Sequence, residues 1–259
     1  MARYENFIVE NKVSEMLETM LDMSQFLTVD TSLAEAEGMQ KIVHKYTVTG
    51  GAQTVAEGEG NTEALSVGYT PVTHKVTTSQ VKFEYTDEAD MTDSYYVDKG
   101  VEAIAKAIVN EYNAKAIAEF EKTSNNIQAT AADEDAFADA IARLNLEDTE
   151  ENGFFALVNP KTKAAIRKAL GDELKYVEAF ARTGYVGSVC GIPVYTSRKV
   201  SDNKIIIANK EAVTCFMKKS AEVEQERDGN TRTNTIFGRN VKVIALTDES
   251  KCVTITLGA

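Results

Sequence analysis

Two histidines, three cysteines and 40 acidic residues are what this 259-residue chain offers for chemistry. His44 and His74 each precede a lysine, Lys45 and Lys75, in segments that alternate apolar and polar residues. Such alternation predicts two strand-surface histidines. Pairing of those strands could bring both to one metal ion, but no carboxylate stands at a fixed offset to complete the ligand set. Cys190, Cys215 and Cys252 are widely spaced, odd in number and form no C-x-x-C. That is neither a disulfide framework nor a zinc site, and their apolar neighbours predict buried free thiols in a reducing cytoplasm. Gly58-Glu59-Gly60-Asn61-Thr62-Glu63 opens like a dinucleotide fingerprint. Glutamate replaces its third glycine, however, and an acidic loop with no following helix repels phosphate. P-loop, H-E-x-x-H and G-x-S-x-G templates are absent.

Three charge clusters remain. Asp87, Glu88, Asp90 and Asp93 could hold a cation, but acids just before a long helix are better explained by its positive N-terminal dipole. The run Glu147–Glu151 reads as a solvated turn. Arg227, Arg232 and Arg239 surround an Asp228-Gly229-Asn230 turn. Arginine forks pair carboxylates bidentately, so this hairpin could dock acidic loops. The formal net charge is −12, which argues against a dedicated nucleic-acid binder. Hydrophobic residues at 43% and charged ones at 26% fit a folded chain, not a disordered one. The first residues lack the basic and apolar regions of a signal peptide, and no stretch reaches the ~18 apolar residues of a membrane helix, so no membrane partner is expected.

These groups must be positioned by a definite order of elements. Val13, Met16, Leu17, Met20 and Leu21 recur at helical spacing in an N-terminal arm, whose apolar face needs a distant partner in its own core or a neighbouring subunit. Ile42, His44, Tyr46 and Val48 predict a strand, as do Val72, His74 and Val76, then Val81, Phe83 and Tyr85. The parity changes between Val76 and Val81, so a bulge or strong twist is expected near Thr77–Gln80. Between the strands lies a glycine-rich loop of a length that is usually functional or mobile. Val97, Val101, Ile104, Ala105, Ile108, Tyr112, Ala116 and Phe120 give residues 94–123 one continuous apolar face, with Asp93 or Ser94 as N-cap. That helix, roughly 45 Å long, is a strut. An α/β stretch follows: a helix after Asp133, a strand at Phe154–Val158, a helix from Asn159-Pro160 to Gly171, an exposed loop at Gly171–Gly187 and a strand at Val189–Ser197. Residues 203–259 alternate repeatedly, as antiparallel strands do.

This order resembles the major capsid proteins of tailed bacteriophages, the Hong Kong ninety-seven fold that encapsulins share. Asn159-Pro160 with its short helix looks like the family's axial-domain helix. Gly184, Gly187, Gly191, Pro193, Val194 and Ser197 are similar to the family's G-x-x-G-x-x-x-G-x-P-V-x-x-S strand. Arg227-Asp228 and the run from Ile236 through Gly238 and Arg239 to Leu257 resemble its closing strands. The resemblance implies an α+β capsid fold with an N-terminal arm at 1–41, an extended β E-loop at 42–86, a peripheral domain with the spine helix at 87–124, and an axial domain at 125–200. Residues 201–259 would complete the peripheral and axial sheets. It further implies no enzymatic activity, no cofactor, and self-assembly into pentamers and hexamers of an icosahedral virion shell. That shell would enclose double-stranded DNA without sequence-specific binding, be built in the host cytoplasm, and use separate scaffolding and portal proteins. With so short an arm, the fused scaffolding segment of some relatives is not expected here. No lysine lies between Gly50 and Thr70, so isopeptide crosslinking there is not expected.

Open strand edges in the E-loop need a neighbour, and heterologous contacts around an axis close into rings. Charge complementarity suggests that Glu57, Glu59 and Glu63 at the loop tip approach Arg227, Arg232 and Arg239 of that neighbour. Two other functions compete: an encapsulin-type shell around an enzyme, and a small acidic enzyme or binding module with a carboxylate or His44/His74 metal site.

Overall fold

The structure, a computed structural model, describes residues 23–93, 95–146, 153–171 and 187–258. The arm stripe Val13–Leu21, the acidic run 147–151 and nearly all of the loop 171–187 lie outside the described residues. Twelve strands form three sheets among the described residues. A four-stranded sheet has the order β1 (Thr28–Asp30), β10 (Val213–Asp228), β11 (Thr233–Leu246), β4 (Thr77–Thr86). A six-stranded sheet has the order β5 (Asn126–Ala129), β12 (Cys252–Leu257), β9 (Lys204–Asn209), β6 (Phe154–Val158), β8 (Ile192–Thr196), β7 (Ser188–Val189). The third is a ribbon of β2 (Gln40–Thr49) and β3 (Ser66–Lys75).

The helices are α1 (Asp87–Thr92), α2 (Tyr96–Phe120), α3 (Glu134–Leu144) and α4 (Pro160–Ala169). Helix α2 is the strut the periodicity predicts, about 37 Å over 25 residues. Its N-terminal half buries Val97, Val101, Ile104 and Ile108 against Tyr85 and Ile236 of the four-stranded sheet. Its C-terminal half buries Ala116, Ile117 and Phe120 with Met23, Phe26, Phe155, Leu157 and Ile206, which joins the two larger sheets through one core. The approach to the first sheet is close because Gly100 and Gly238 have no side chains at the crossing. A Cβ on Gly100 would stand 2.2 Å from a Phe83 ring carbon, and one on Gly238 2.6 Å from Ile104 Cγ2. Nearby, Lys242 of β11 is only 3% exposed; its ammonium lies 3.2 Å from Glu111 and over the Tyr112 ring. Burial lowers its pKa, against the pull of Glu111.

The second core lies between the six-stranded sheet and helices α3 and α4. All five residues of β6 are buried, as a continuous apolar run in a central strand requires. Asp133 caps α3 by accepting from the Ala136 amide, and Asn159 caps α4 by accepting from Lys161 with Pro160 in the first turn.

Several expectations are corrected. The excursion expected over 42–86 divides at Val76, which is buried and donates its amide to the Met39 carbonyl, 2.9 Å away. Residues before it belong to the ribbon, and residues after it pair with β11. The parity change is a change of sheet, not a bulge. The long helix starts at Tyr96, with Tyr95 at its N-cap and no side-chain cap; Ser94 lies outside the described residues. Asp87, Glu88 and Asp90 instead form the first turn of the separate helix α1, capped by Thr86. The expected strand at 189–197 is a hairpin turning at Cys190-Gly191, both in the left-handed region. The expected strands at 213–217 and 221–225 are one strand, β10, with register shifts between Met217 and Glu222. Cys215 and Cys252 are buried, whereas Cys190 is half-buried.

Candidate functional site

Strand β2 carries its apolar alternation, Ile42, His44, Tyr46 and Val48, on the side that its own body leaves bare, whereas Val72 and His74 of β3 face the other way. Tyr46 pairs with Tyr69, Val48 with Val67, His44 with Pro71 and Ile42 with Thr73. Paired residues in an antiparallel ladder share a face. Tyr46 is 68% exposed, Tyr69 66%, Val48 59%, Val67 56% and Ile42 53%. The opposite face is half-buried at Lys41, Val43, Lys45, Val72 and His74. There Lys41 pairs with Asp30 at 3.3 Å and Lys45 with Glu249 at 3.0 Å, which moors the ribbon root. His44 stacks edge-on to Tyr69 at 5.3 Å, so it belongs to the apolar face. His44 and His74 lie on opposite faces, and their register partners are Pro71 and Lys41. Among the described residues, no group of three or more histidines, cysteines or carboxylates is placed to hold a metal ion.

Two-residue alternation flagged this face without saying which way it turns. Alternation shows that one side of a strand is apolar; the rest of the molecule decides whether that side meets its own core. A contiguous exposed apolar face of this kind marks an interaction surface. The loop joining the strands adds Leu65, 58% exposed, and the carboxylates Glu57, Glu59 and Glu63, all exposed.

The arginines lie on the β10–β11 hairpin. Arg227 donates to Asp87 Oδ2 at 2.7 Å, and Asn234 donates to Asp87 Oδ1 at 2.7 Å. Those hydrogen bonds, Arg227 first, hold the Asp87 carboxyl below its usual pKa. Arg232 sits 3.6 Å from Glu88. Arg239 lies six residues down the strand from Thr233, about 20 Å from the turn. Its fork already donates to Glu222 at 2.8 Å and Glu224 at 2.9 Å. The structure thus gives each of these three arginines a carboxylate within its own chain. Arg232 keeps the most exposed side chain, at 69%, and Arg239 the least, at 37%. Between α1 and α2 in chain order, Met91 is 84% exposed and Tyr95 71%. A single methionine and tyrosine in an acidic stretch carry no periodicity, so only the fold shows that both are exposed.

This geometry suits an assembling chain, and comparison with known proteins decides the family. A family model described as "Phage capsid protein" matches residues 68–255. The chain belongs to the phage capsid protein family. A curated relative, the "Major capsid protein" of Staphylococcus phage phiMR11, is 27% identical over 257 residues, covering 94% of this chain and 89% of that one. Among solved structures, the mature capsid of bacteriophage PhiM1 matches with a TM-score of 0.73 at 10% identity, over 91% of this chain and 86% of that one. An encapsulin complex from Synechococcus elongatus matches with a TM-score of 0.65 at 12% identity, over 90% and 86%. The fold is therefore the Hong Kong ninety-seven type, and this capsid protein is a structural component of a shell.

Proposed function

We propose that this capsid protein closes into pentamers and hexamers of an icosahedral shell around phage double-stranded DNA, with its ribbon as the E-loop laid on a neighbouring subunit. The outward apolar face of the ribbon, Tyr46, Tyr69, Val48 and Val67, carries this reading. A chain that exposes such a face while turning a half-buried one to its own body requires a second copy. In this reading the ribbon within residues 42–86 is the E-loop, with β4 after Val76 joining it to the peripheral sheet; α2 is the spine of the peripheral domain at 87–124, and 125–200 is the axial domain. Residues 1–41 are the arm, and 201–259 complete both domains. The role is architectural, without catalysis. Assembly takes place in the host cytoplasm with separate scaffolding and portal proteins. The net charge of −12 suits a wall that contains DNA without gripping it.

At the tip, Glu57, Glu59 and Glu63 approach Arg227, Arg232 and Arg239 of the neighbour and share these arginines with their intrachain partners. Many weak contacts of this kind sum through effective concentration in a closed shell. Electron microscopy of the overexpressed protein tests the whole reading: closed shells support it, and a monodisperse monomer overturns it. Packaged DNA with a portal vertex supports the phage shell, whereas a uniform small shell with protein cargo favours the encapsulin type. Replacing Tyr46 and Tyr69 by serine should abolish shells while leaving the monomer folded. Arg227→Glu with Arg239→Glu should reduce assembly, and undiminished shells would sink the charge pairing.

A further inference from the structure

The chain has two histidines, and both lie on the ribbon. Imidazole is the side chain that ordinarily titrates between pH 5 and 8. Burial pushes the Cys190, Cys215 and Cys252 thiols up, away from that window. Carboxylates ordinarily titrate below it. At the ribbon moorings, hydrogen bonds from Ser32 hold the Asp30 carboxyl lower still, and one from Lys45 does the same for Glu249. Among the described residues, the response to mild acid is therefore concentrated in the ribbon.

The two histidines face opposite ways. His74 is half-buried against the body; burial lowers its pKa, Glu119 opposes the fall, and Lys45 and Lys122 add to it. His44 is exposed on the outer apolar face, with the Tyr69 ring edge-on at 5.3 Å and the Tyr46 ring at 6.2 Å. Among the described residues, that face of the ladder carries no carboxylate. Its one charged residue is Lys75, four positions along β3 from Pro71, the register partner of His44, or about 13 Å. On the free ribbon, water solvates an imidazolium at this place. On a docked ribbon the ring is pressed between its tyrosines and the neighbour, with no anion of its own face to offset a charge. Docking therefore favours the neutral ring.

We propose that His44 is an acid-sensitive release for the ribbon: neutral, it packs into the contact with the neighbouring subunit, and protonated, it weakens that contact. This rests on the ribbon docking proposed above. Because the docked ribbon binds fewer protons than the free one, the contact is strongest above about pH 7. It weakens as pH falls through the imidazole range, by up to ~tenfold in affinity per pH unit. The test is the lowest protein concentration that gives shells, read by light scattering and electron microscopy at about pH 7.5 and about pH 5.5, above the ordinary carboxylate range. Acidification should raise that threshold at least ~tenfold for the natural chain and less than ~twofold for His44→Gln. His44→Lys, charged at both pH values, should raise it at both, and His74→Gln should keep the natural response. Equal thresholds for the natural chain, a threshold that falls in acid, an unchanged response in His44→Gln or a response lost in His74→Gln overturns the proposal. Tyr46→Ser with Tyr69→Ser separates it from the docking itself. Shells that persist in that double variant overturn the docking and the proposal together. Shells that vanish there, while His44→Gln keeps the full acid response, overturn the role of His44 alone.

Discussion

Adding one methyl group at Gly100 tests the packing of the strut. Alanine is the better helix former by about 1 kcal/mol, so on propensity alone Gly100→Ala stabilises α2. The structure argues the opposite. The new Cβ would lie 2.2, 2.3 and 2.6 Å from three carbons of the Phe83 ring. The ring is held by Tyr85, at a centroid distance of 5.8 Å, and Tyr96, at 5.7 Å. Moving it sacrifices part of two aromatic contacts, each worth ~0.5–1.5 kcal/mol. Overpacking adds a cost on the order of 1–3 kcal/mol. Against the propensity gain, the net is a destabilisation of about 1–2 kcal/mol. Denaturant unfolding of the unassembled protein should show this as a lower midpoint with an unchanged slope. The cycle is completed with Phe83→Ala. In that background Gly100→Ala should be neutral or stabilising, giving a coupling of at least ~1 kcal/mol. Stabilisation by Gly100→Ala with Phe83 in place, or additivity of the two changes, would refute the steric argument.

Further outcomes follow from titratable and capping groups. Burial pushes the Cys252 thiol up to about 12 from 9.0, so its contribution is complete below pH 9 and is lost as pH rises toward 12. Unfolding at pH 8 and pH 10.5 should show that Cys252→Ala removes ~2 kcal/mol of alkaline destabilisation; an unchanged alkaline slope would count against it. Burial alone would raise the pKa of Glu121, but the Ser201 amide and hydroxyl and Lys204 outweigh it and hold the carboxyl low. Its stabilisation is therefore present above about pH 4.5 and lost as pH falls through the lowered value, and Glu121→Gln should flatten the acid limb of stability against pH. Asn159→Ala removes the α4 cap and the hydrogen bonds to Val200 and Asp202, at 3.0 and 2.9 Å, and should cost about 2 kcal/mol in a thermal or denaturant melt.

Periodicity made the body of the protein legible. Every residue read as the apolar face of the long helix, from Val97 to Phe120, is buried in α2. The Asn159-Pro160 start of α4 and the Asp133 cap of α3 also stand where local chemistry puts them. What could not be read depended on long-range choices. Val72 and Val81 have the same local character, and only pairing with β2 or β11 assigns them to different sheets. Ile42, Tyr46 and Val48 look like any half-buried strand; their exposure follows from where the ribbon leaves the body. Arg227, Arg232 and Arg239 cluster in sequence, but strand geometry carries Arg239 far from the turn and gives each a carboxylate of its own. Its position before a helix explains Asp87 as a dipole partner, whereas its bonds to Arg227 and Asn234, more than 100 residues away, have no local signal.

The mooring of the ribbon has a mechanical consequence. Its joints with the body are concentrated near the root, at Lys41–Asp30, at Lys45–Glu249 and where Val43 and Val76 join the cluster of Leu33, Phe216 and Val241. Each strand is ten residues long, a lever arm of about 33 Å. A pivot of 10° at the root sweeps the tip through about 6 Å over that length. A small angular adjustment at these half-buried ion pairs therefore sets where the tip lands. One chain can then reach partners presented at different angles without repacking the two cores around α2 and the six-stranded sheet.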